Sequence, residues 1–175
     1  EKQDFHVIPT DTISISIDKD AVLRSGIMLP DSIRHLKGED LKNAIPDKIY
    51  ISLKDMRILT KVDMLMLEML ANCNWERPLY MAISVGEVSK LKFDHYFVQE
   101  GLAFRFTPFD YKKWGNVKGD NNYAIDVERL YENVMNRYKY GGLDTPGLYL
   151  DETTLRTCYY HRRLFAQLAK ELIRQ

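Results

Sequence analysis

An α/β fold is predicted: a three-layer sandwich with a small, mainly parallel sheet and a helical C-terminal segment. Three features of the sequence point to it. Short runs alternating with period two recur between stretches with helical spacing. Strand, helix and strand follow one another over residues 49–84, the order of a βαβ unit with neighbouring parallel strands. Two apolar-striped segments close the chain from residue 126 onward.

Residues 1–10 read as an extended lead-in. Thr12-Ile13-Ser14-Ile15-Ser16-Ile17 puts its isoleucines on one face of a half-buried strand. Asp18 is placed to cap a short helix over Lys19–Leu23 that ends near Gly26. Pro30 to Pro46 is polar and charged, a loop with a short helix. Ile49–Leu53 is a second strand. The run from Thr60 to Ala71 is rich in unbranched apolar residues at helical spacing, which predicts a largely buried helix stopped at Asn72-Cys73-Asn74. Arg77-Pro78 leads into a third strand, Leu79–Ser84, because Pro is tolerated where no ladder bond is needed.

A short helix over Phe93–Glu100, closed by Gly101, and a fourth strand over Leu102–Phe106 complete the expected sheet. Residues 107–122 form an aromatic loop. A helix is expected from Asp126 to about Tyr140, with Val127, Leu130, Val134 and Met135 on one face. Asp151 caps a last helix, with Leu155, Cys158, Tyr159, Phe165, Leu168, Ala169, Leu172 and Ile173 as its inner stripe. These elements group as an α/β domain over residues 1–122 and a helical segment over 123–175, packed together as a single structural unit.

The 175 residues are enough for a sizeable core, and 45% apolar with 29% charged residues is a globular composition. Basic and acidic residues balance at 25 each, so the electrostatic excess that drives nucleic-acid binding is missing. The densest basic cluster, Arg162-Arg163 beside His161, is too short to track a phosphate backbone. Cys73 and Cys158 form no CxxC pair and read as small buried side chains. No run approaches the roughly 18 apolar residues of a membrane span. Glu1 is not an initiator Met, and the chain is expected to belong to a longer one.

No nucleophile elbow, phosphate-binding loop or dinucleotide fingerprint follows any expected strand, so no cofactor is expected. The histidines, His6, His35, His95 and His161, lack metal-ligand spacing. Asp94 with Glu100 is the nearest carboxylate pair for glycoside hydrolysis; solvated surface charge is the competing reading. Trp75 and Arg77, between the buried helix and the third strand, are candidates for a sugar or peptide platform. The alternative is that Trp75 covers the helix end and Arg77 pairs locally. Arg156, Tyr160 and Arg163 share one face of the last helix, beside His161. That cationic aromatic face suits an acidic partner, or docks the helix onto its own domain.

Several segments together resemble a known family. They are Asn74-Trp75-Glu76-Arg77-Pro78-Leu79-Tyr80-Met81-Ala82, Gln99-Glu100-Gly101-Leu102-Ala103-Phe104-Arg105-Phe106-Thr107-Pro108, Pro146-Gly147-Leu148-Tyr149-Leu150-Asp151-Glu152 and Tyr160-His161-Arg162-Arg163-Leu164-Phe165-Ala166. With Asp18-Lys19-Asp20 to Gly26, they resemble the C-terminal soluble region of the DUF2723 family. Its members are Bacteroidetes membrane proteins likened to protein O-mannosyltransferases of the GT-C type. The resemblance runs from about residue 12 over nearly the whole chain.

It implies a non-catalytic extracytoplasmic domain of a membrane-embedded glycosyltransferase, on the periplasmic side, binding acceptor or stabilising the enzyme. It places the catalytic acid in a membrane region outside this chain, so no catalytic residue carries over. The implied partners are the membrane-embedded region of the parent chain and an acceptor protein or glycan. The alternative is a protein–protein interaction module of an envelope assembly. Asp11-Thr12-Ile13 and Asp31-Ser32-Ile33 match an O-glycosylation pattern of that bacterial group, which makes Thr12 and Ser32 candidate modification sites; Thr12 also reads as an ordinary strand residue.

Overall fold

A computed structural model describes residues 10–54, 56, 58–85, 91, 93–117, 123–143 and 145–174. The lead-in expected over residues 1–10 lies outside them save for Thr10.

β1 (Thr12–Ser16) and β2 (Lys48–Ser52) form a two-stranded antiparallel sheet in which Ile13 faces Ile51 and Ile15 faces Ile49. The period-two pattern sends Ile15, Ile49 and Ile51 to one side, where all are buried. α1 (Lys19–Arg24) follows directly. The Asp18 carboxylate accepts from the Ala21 N–H at 3.0 Å, and the turn buries Ala21 and Val22. α2 (Gly38–Ala44) is short and exposed. α3 (Lys61–Asn72) opens on a reciprocal capping box. The Asp63 N–H donates to Thr60 Oγ1 at 3.2 Å, and the Thr60 N–H donates to Asp63 Oδ2 at 2.8 Å.

The second sheet has strand order β3-β5-β4-β6, from β3 (Tyr80–Ala82), β4 (Phe97–Gln99), β5 (Ala103–Phe106) and β6 (Ala124–Ile125). β5 runs antiparallel to both β3 and β4, and β6 is parallel to β4. α4 (Val127–Glu132) widens into a π turn over Asn133–Arg137, and α5 (Glu152–Ile173) ends the fold.

The alternation of strands and helices is therefore α/β, but the sheets are small, mixed and mostly antiparallel, and the described residues do not bear out a three-layer sandwich with a mainly parallel sheet. Only Glu100, Gly101 and Leu102 separate β4 from β5, far fewer residues than a parallel crossover requires. The expected βαβ unit is broken because β2 joins β1 while β3 joins β5. The helix expected over Phe93–Glu100 is one 3₁₀ turn, Asp94–Tyr96, followed by β4. Phe97, Val98 and Gln99 are all buried, which a strand covered on both faces achieves and an exposed helix does not. The helix expected to reach Tyr140 stops at Arg137.

Two apolar clusters hold the chain. The larger joins both sheets, α1, α3 and the aromatic loop through Phe109 and Tyr111, while the smaller is Leu130, Val134, Leu164 and Leu168 between α4 and α5. Neither α3 nor α5 is buried as its pattern suggested. α3 buries Asp63, Leu67 and Leu70 but leaves Val62, Met64, Leu65 and Met69 exposed. α5 turns Leu164, Leu168 and Glu171 inward and leaves Leu155, Tyr159, Phe165, Leu172 and Ile173 exposed. Each helix has apolar residues on two sides, of which one meets a cluster, the larger for α3 and the smaller for α5.

Candidate functional site

A buried charge cluster centres on Glu100, at the end of β4. Its side chain is 7% exposed and that of Arg105 on β5 is 4% exposed. Strand alternation puts Phe104 and Phe106 on one face and Arg105 on the other, so its guanidinium is carried inward rather than to solvent. Arg105 Nη1 lies 3.5 Å and Arg129 Nη1 3.3 Å from Glu100 Oε1. These are ion-pair contacts rather than well-aligned hydrogen bonds. The other carboxylate oxygen accepts from the Tyr80 hydroxyl at 2.8 Å and from Arg129 Nη1 at 3.3 Å.

Both guanidiniums also bind backbone. Arg105 Nη2 donates to the Ser25 carbonyl at 2.8 Å, and Arg129 Nη2 donates to the Gly26 carbonyl. The end of α1, β3, the β4–β5 turn and the first turn of α4 are thus tied at one point. The Asn133 amide adds a bond to the Glu100 carbonyl at 2.6 Å, from the start of the π turn. Gly101 sits next to this at φ +142°, and the Leu102 N–H donates to the Tyr138 hydroxyl at 2.9 Å.

Burial raises the Tyr80 hydroxyl above its ordinary range, and its bond to Glu100 acts in the same direction. Burial also raises Asp126, against the bonds it accepts from the Arg129 N–H and the pull of the Arg129 charge. Asp126 caps α4, so its carboxylate is already engaged.

Two clefts flank Arg129. One of about 470 Å³ is lined by Gly26, Asp31, Arg34, Asn116, Asp126 and Glu171 among others. The other, of about 480 Å³, is lined by Tyr80, Glu100, Asn133, Arg137 and Tyr138 among others. Among the described residues, no three His, Cys, Asp or Glu side chains converge as a metal site.

The residues singled out in the sequence fall in separate places. Trp75 is 4% exposed. Asn74 and Trp75 have φ of 48° and 61°, a left-handed pair that turns the indole inward after α3. There it stacks on Phe106 with centroids 5.5 Å apart, and its N–H donates to the Ser16 carbonyl at 3.0 Å. Arg77 is exposed nearby, beside a gap of about 10 Å³.

Arg156 and Arg163 are exposed on α5, Arg156 being 3.6 Å from Glu152. Tyr160 is half-buried. His161 is held edge-on between the rings of Tyr138 and Tyr140, with centroids 5.9 and 5.3 Å away. Thr12 lies on β1 opposite Ser52, and Ser32 is exposed beside buried Ile33. Cys73 and Cys158 are free thiols. Asp94 is exposed and Glu100 buried, on either side of β4.

Sequence reading passed over the Glu100, Arg105 and Arg129 cluster. A charged residue between Phe104 and Phe106 in a strand was the available signal.

The family described as TMEM260-associated domain 2 matches residues 1–128, more than two thirds of the chain. No curated protein and no solved structure matches it. The match corrects the resemblance to DUF2723, since it points to a different family. The O-mannosyltransferase likeness, the Bacteroidetes source and the periplasmic placement were implications of that resemblance and have no support from this one. No helix among the described residues is long and apolar enough to cross a membrane.

Proposed function

The chain belongs to the TMEM260-associated domain 2 family, whose name ties it to a transmembrane protein, and from that premise we propose that it is a non-catalytic accessory domain acting by binding. Its partner in this reading is the membrane-embedded region of the same parent protein. The observation that carries it is the outer row of α3.

Val62, Leu65 and Met69 are exposed at i, i+3 and i+7 of the helix, and Ile58 is exposed in the segment before it. Contiguous exposed apolar residues of this kind mark interaction surfaces, and Met adapts to a partner's shape. Lys61 and Glu68 flank the row with opposite charges, which suits a protein surface better than a charged polymer. The charge cluster around Glu100 supports binding over chemistry. Glu100, Arg105, Arg129 and Tyr80 contact one another, and both guanidiniums also bind backbone carbonyls.

The test is co-purification of this chain with the membrane-embedded region, expressed as separate pieces. Capture is expected for the wild type and its loss for Leu65→Glu with Met69→Glu, at unchanged circular dichroism. Undiminished capture by the double variant would remove α3 from the interface, and absence of capture by the wild type would remove the reading.

A further inference from the structure

α5 presents a second unpartnered face, and its chemistry differs from that of α3. Leu155, Tyr159, Phe165, Leu172 and Ile173 are all exposed, Tyr159 at 63% and Ile173 at 86%. Leu155, Tyr159 and Ile173 lie on the side away from Leu164, Leu168 and Glu171, which face the small cluster, while Leu172 and Phe165, whose ring is 6.0 Å from that of Tyr140, lie on the flank. Arg156, Arg163 and Lys170 run along one edge of this face. At seven-residue spacing, successive members are only about 20° apart around the helix. Their row extends about 21 Å at 1.5 Å per residue. Arg162 adds a fourth cation within the face, and all four are exposed.

Acids are nearly absent from that side. Glu171 is buried and paired with Arg174 at 3.0 Å. Glu152 stands at the start of the helix, 3.6 Å from Arg156. Among the described residues, no carboxylate pairs with Arg162, Arg163 or Lys170. An amphipathic helix with an apolar side and a line of cations of which Arg156 alone has a carboxylate partner among the described residues has the pattern of a helix lying in a membrane interface.

We propose that the outer face of α5 lies on an anionic bilayer surface, its apolar residues entering the headgroup boundary and Arg156, Arg163 and Lys170 meeting lipid phosphates and carboxylates. This deepens the accessory-domain reading and rests on it for the nearness of a membrane. A second copy of the chain is a poorer occupant, because a two-fold contact pairs like surfaces and brings no carboxylates to the cations. One acidic protein pocket is also a poorer match. The charges are spread along the helix rather than gathered at a point, as a plane of headgroups requires. Tyr149, 89% exposed just before the helix, adds a ring of the kind suited to that boundary.

The experiment is flotation of the 175-residue chain with vesicles of phosphatidylcholine alone or of phosphatidylcholine carrying phosphatidylserine. Binding is expected only to the second kind and is expected to fall with added salt. Each interfacial cation strengthens such binding about fivefold, so Arg156→Gln, Arg163→Gln and Lys170→Gln together are expected to weaken it about a hundredfold. Tyr159→Ser with Ile173→Ser is expected to weaken it with every charge retained. All these side chains are exposed, and unchanged circular dichroism certifies each variant as folded.

Equal binding to both vesicles, or indifference to the triple substitution, overturns the proposal. So does binding to neither vesicle. In that case, loss of membrane-region capture by the same α5 variants would give the face to protein instead. Vesicle binding that persists while the α3 co-purification fails would sink the accessory-domain partner alone.

Discussion

Glu100 Oε1 and Arg129 Nη1 meet at 3.3 Å, joining the end of β4 to the first turn of α4 across 29 positions of sequence. Arg105 faces the same oxygen from inside the sheet, at 3.5 Å. The two arginines differ in burial, with side chains 4% and 39% exposed, and this difference makes the cluster testable.

Glu100→Ala leaves the Arg105 guanidinium buried without its counter-charge. Breaking a buried pair from one side costs about 3–5 kcal/mol. For a chain of this length that lowers the thermal midpoint by roughly 10 °C. Arg129→Ala removes a partly solvated partner and is expected to cost about 1 kcal/mol. Thermal unfolding followed by circular dichroism ranks the two, and equal losses would show that solvent already screens the cluster.

Trp75 is a core residue with one polar bond. Trp75→Phe keeps a ring against Phe106 and gives up the bond to the Ser16 carbonyl, a loss of about 1–2 kcal/mol. Trp75→Ala also opens a cavity and is expected to cost about 3–5 kcal/mol. Urea unfolding of the two variants separates these contributions. A Trp75→Ala protein as stable as the wild type would return this side chain to the list of surface platforms.

Gly101 holds a backbone conformation that an L side chain rarely adopts, and a Cβ there would run into the Tyr138 hydroxyl. Gly101→Ala is expected to cost about 3 kcal/mol or more through strain. It is also expected to speed hydrogen exchange at the Leu102 amide, which loses its acceptor. Tyr138→Phe gives up that bond without strain and is expected to cost about 1 kcal/mol. Similar stability of the two variants would mean that the turn relaxes freely.

His95 carries a pH signature of known sign. Burial lowers its proton affinity, against the pull of Asp110 3.6 Å away. The unfolded chain therefore binds the proton more readily than the folded one. This contribution to stability is complete above the ordinary histidine value and is lost as pH falls from there through the lowered value of the folded state. The difference in unfolding free energy between wild type and His95→Gln should shrink from pH 8 toward pH 5, in the range where histidine titrates near about 6.5. A difference constant with pH would mean that His95 titrates alike in both states.

The caps and turns were legible because their physics is local. Asp18, Thr60, Asp126 and Asp151 each accept from an N–H three residues ahead, so a short window of sequence contains both partners. The isoleucine alternation of β1 and β2 was legible for the same reason. The short apolar run around Phe97 was ambiguous between helix and strand, since periodicity cannot separate the two over so few residues. The candidate site was nearly illegible. Its members at positions 25, 26, 80, 100, 105 and 129 have no spacing that relates them.

By itself, then, the sequence determined the alternation of strands and helices, the starts of the capped helices, and which residues of α5 are apolar and which cationic. Those follow from backbone geometry and from bonds reaching three or four residues. Only the tertiary structure decided which strands pair, which side of α3 and of α5 turns inward, and that Arg105 is drawn inside to meet Glu100. These choices depend on burial shared by segments distant in sequence. A helix with two apolar sides, or a strand with two usable faces, contains no local instruction that selects between them.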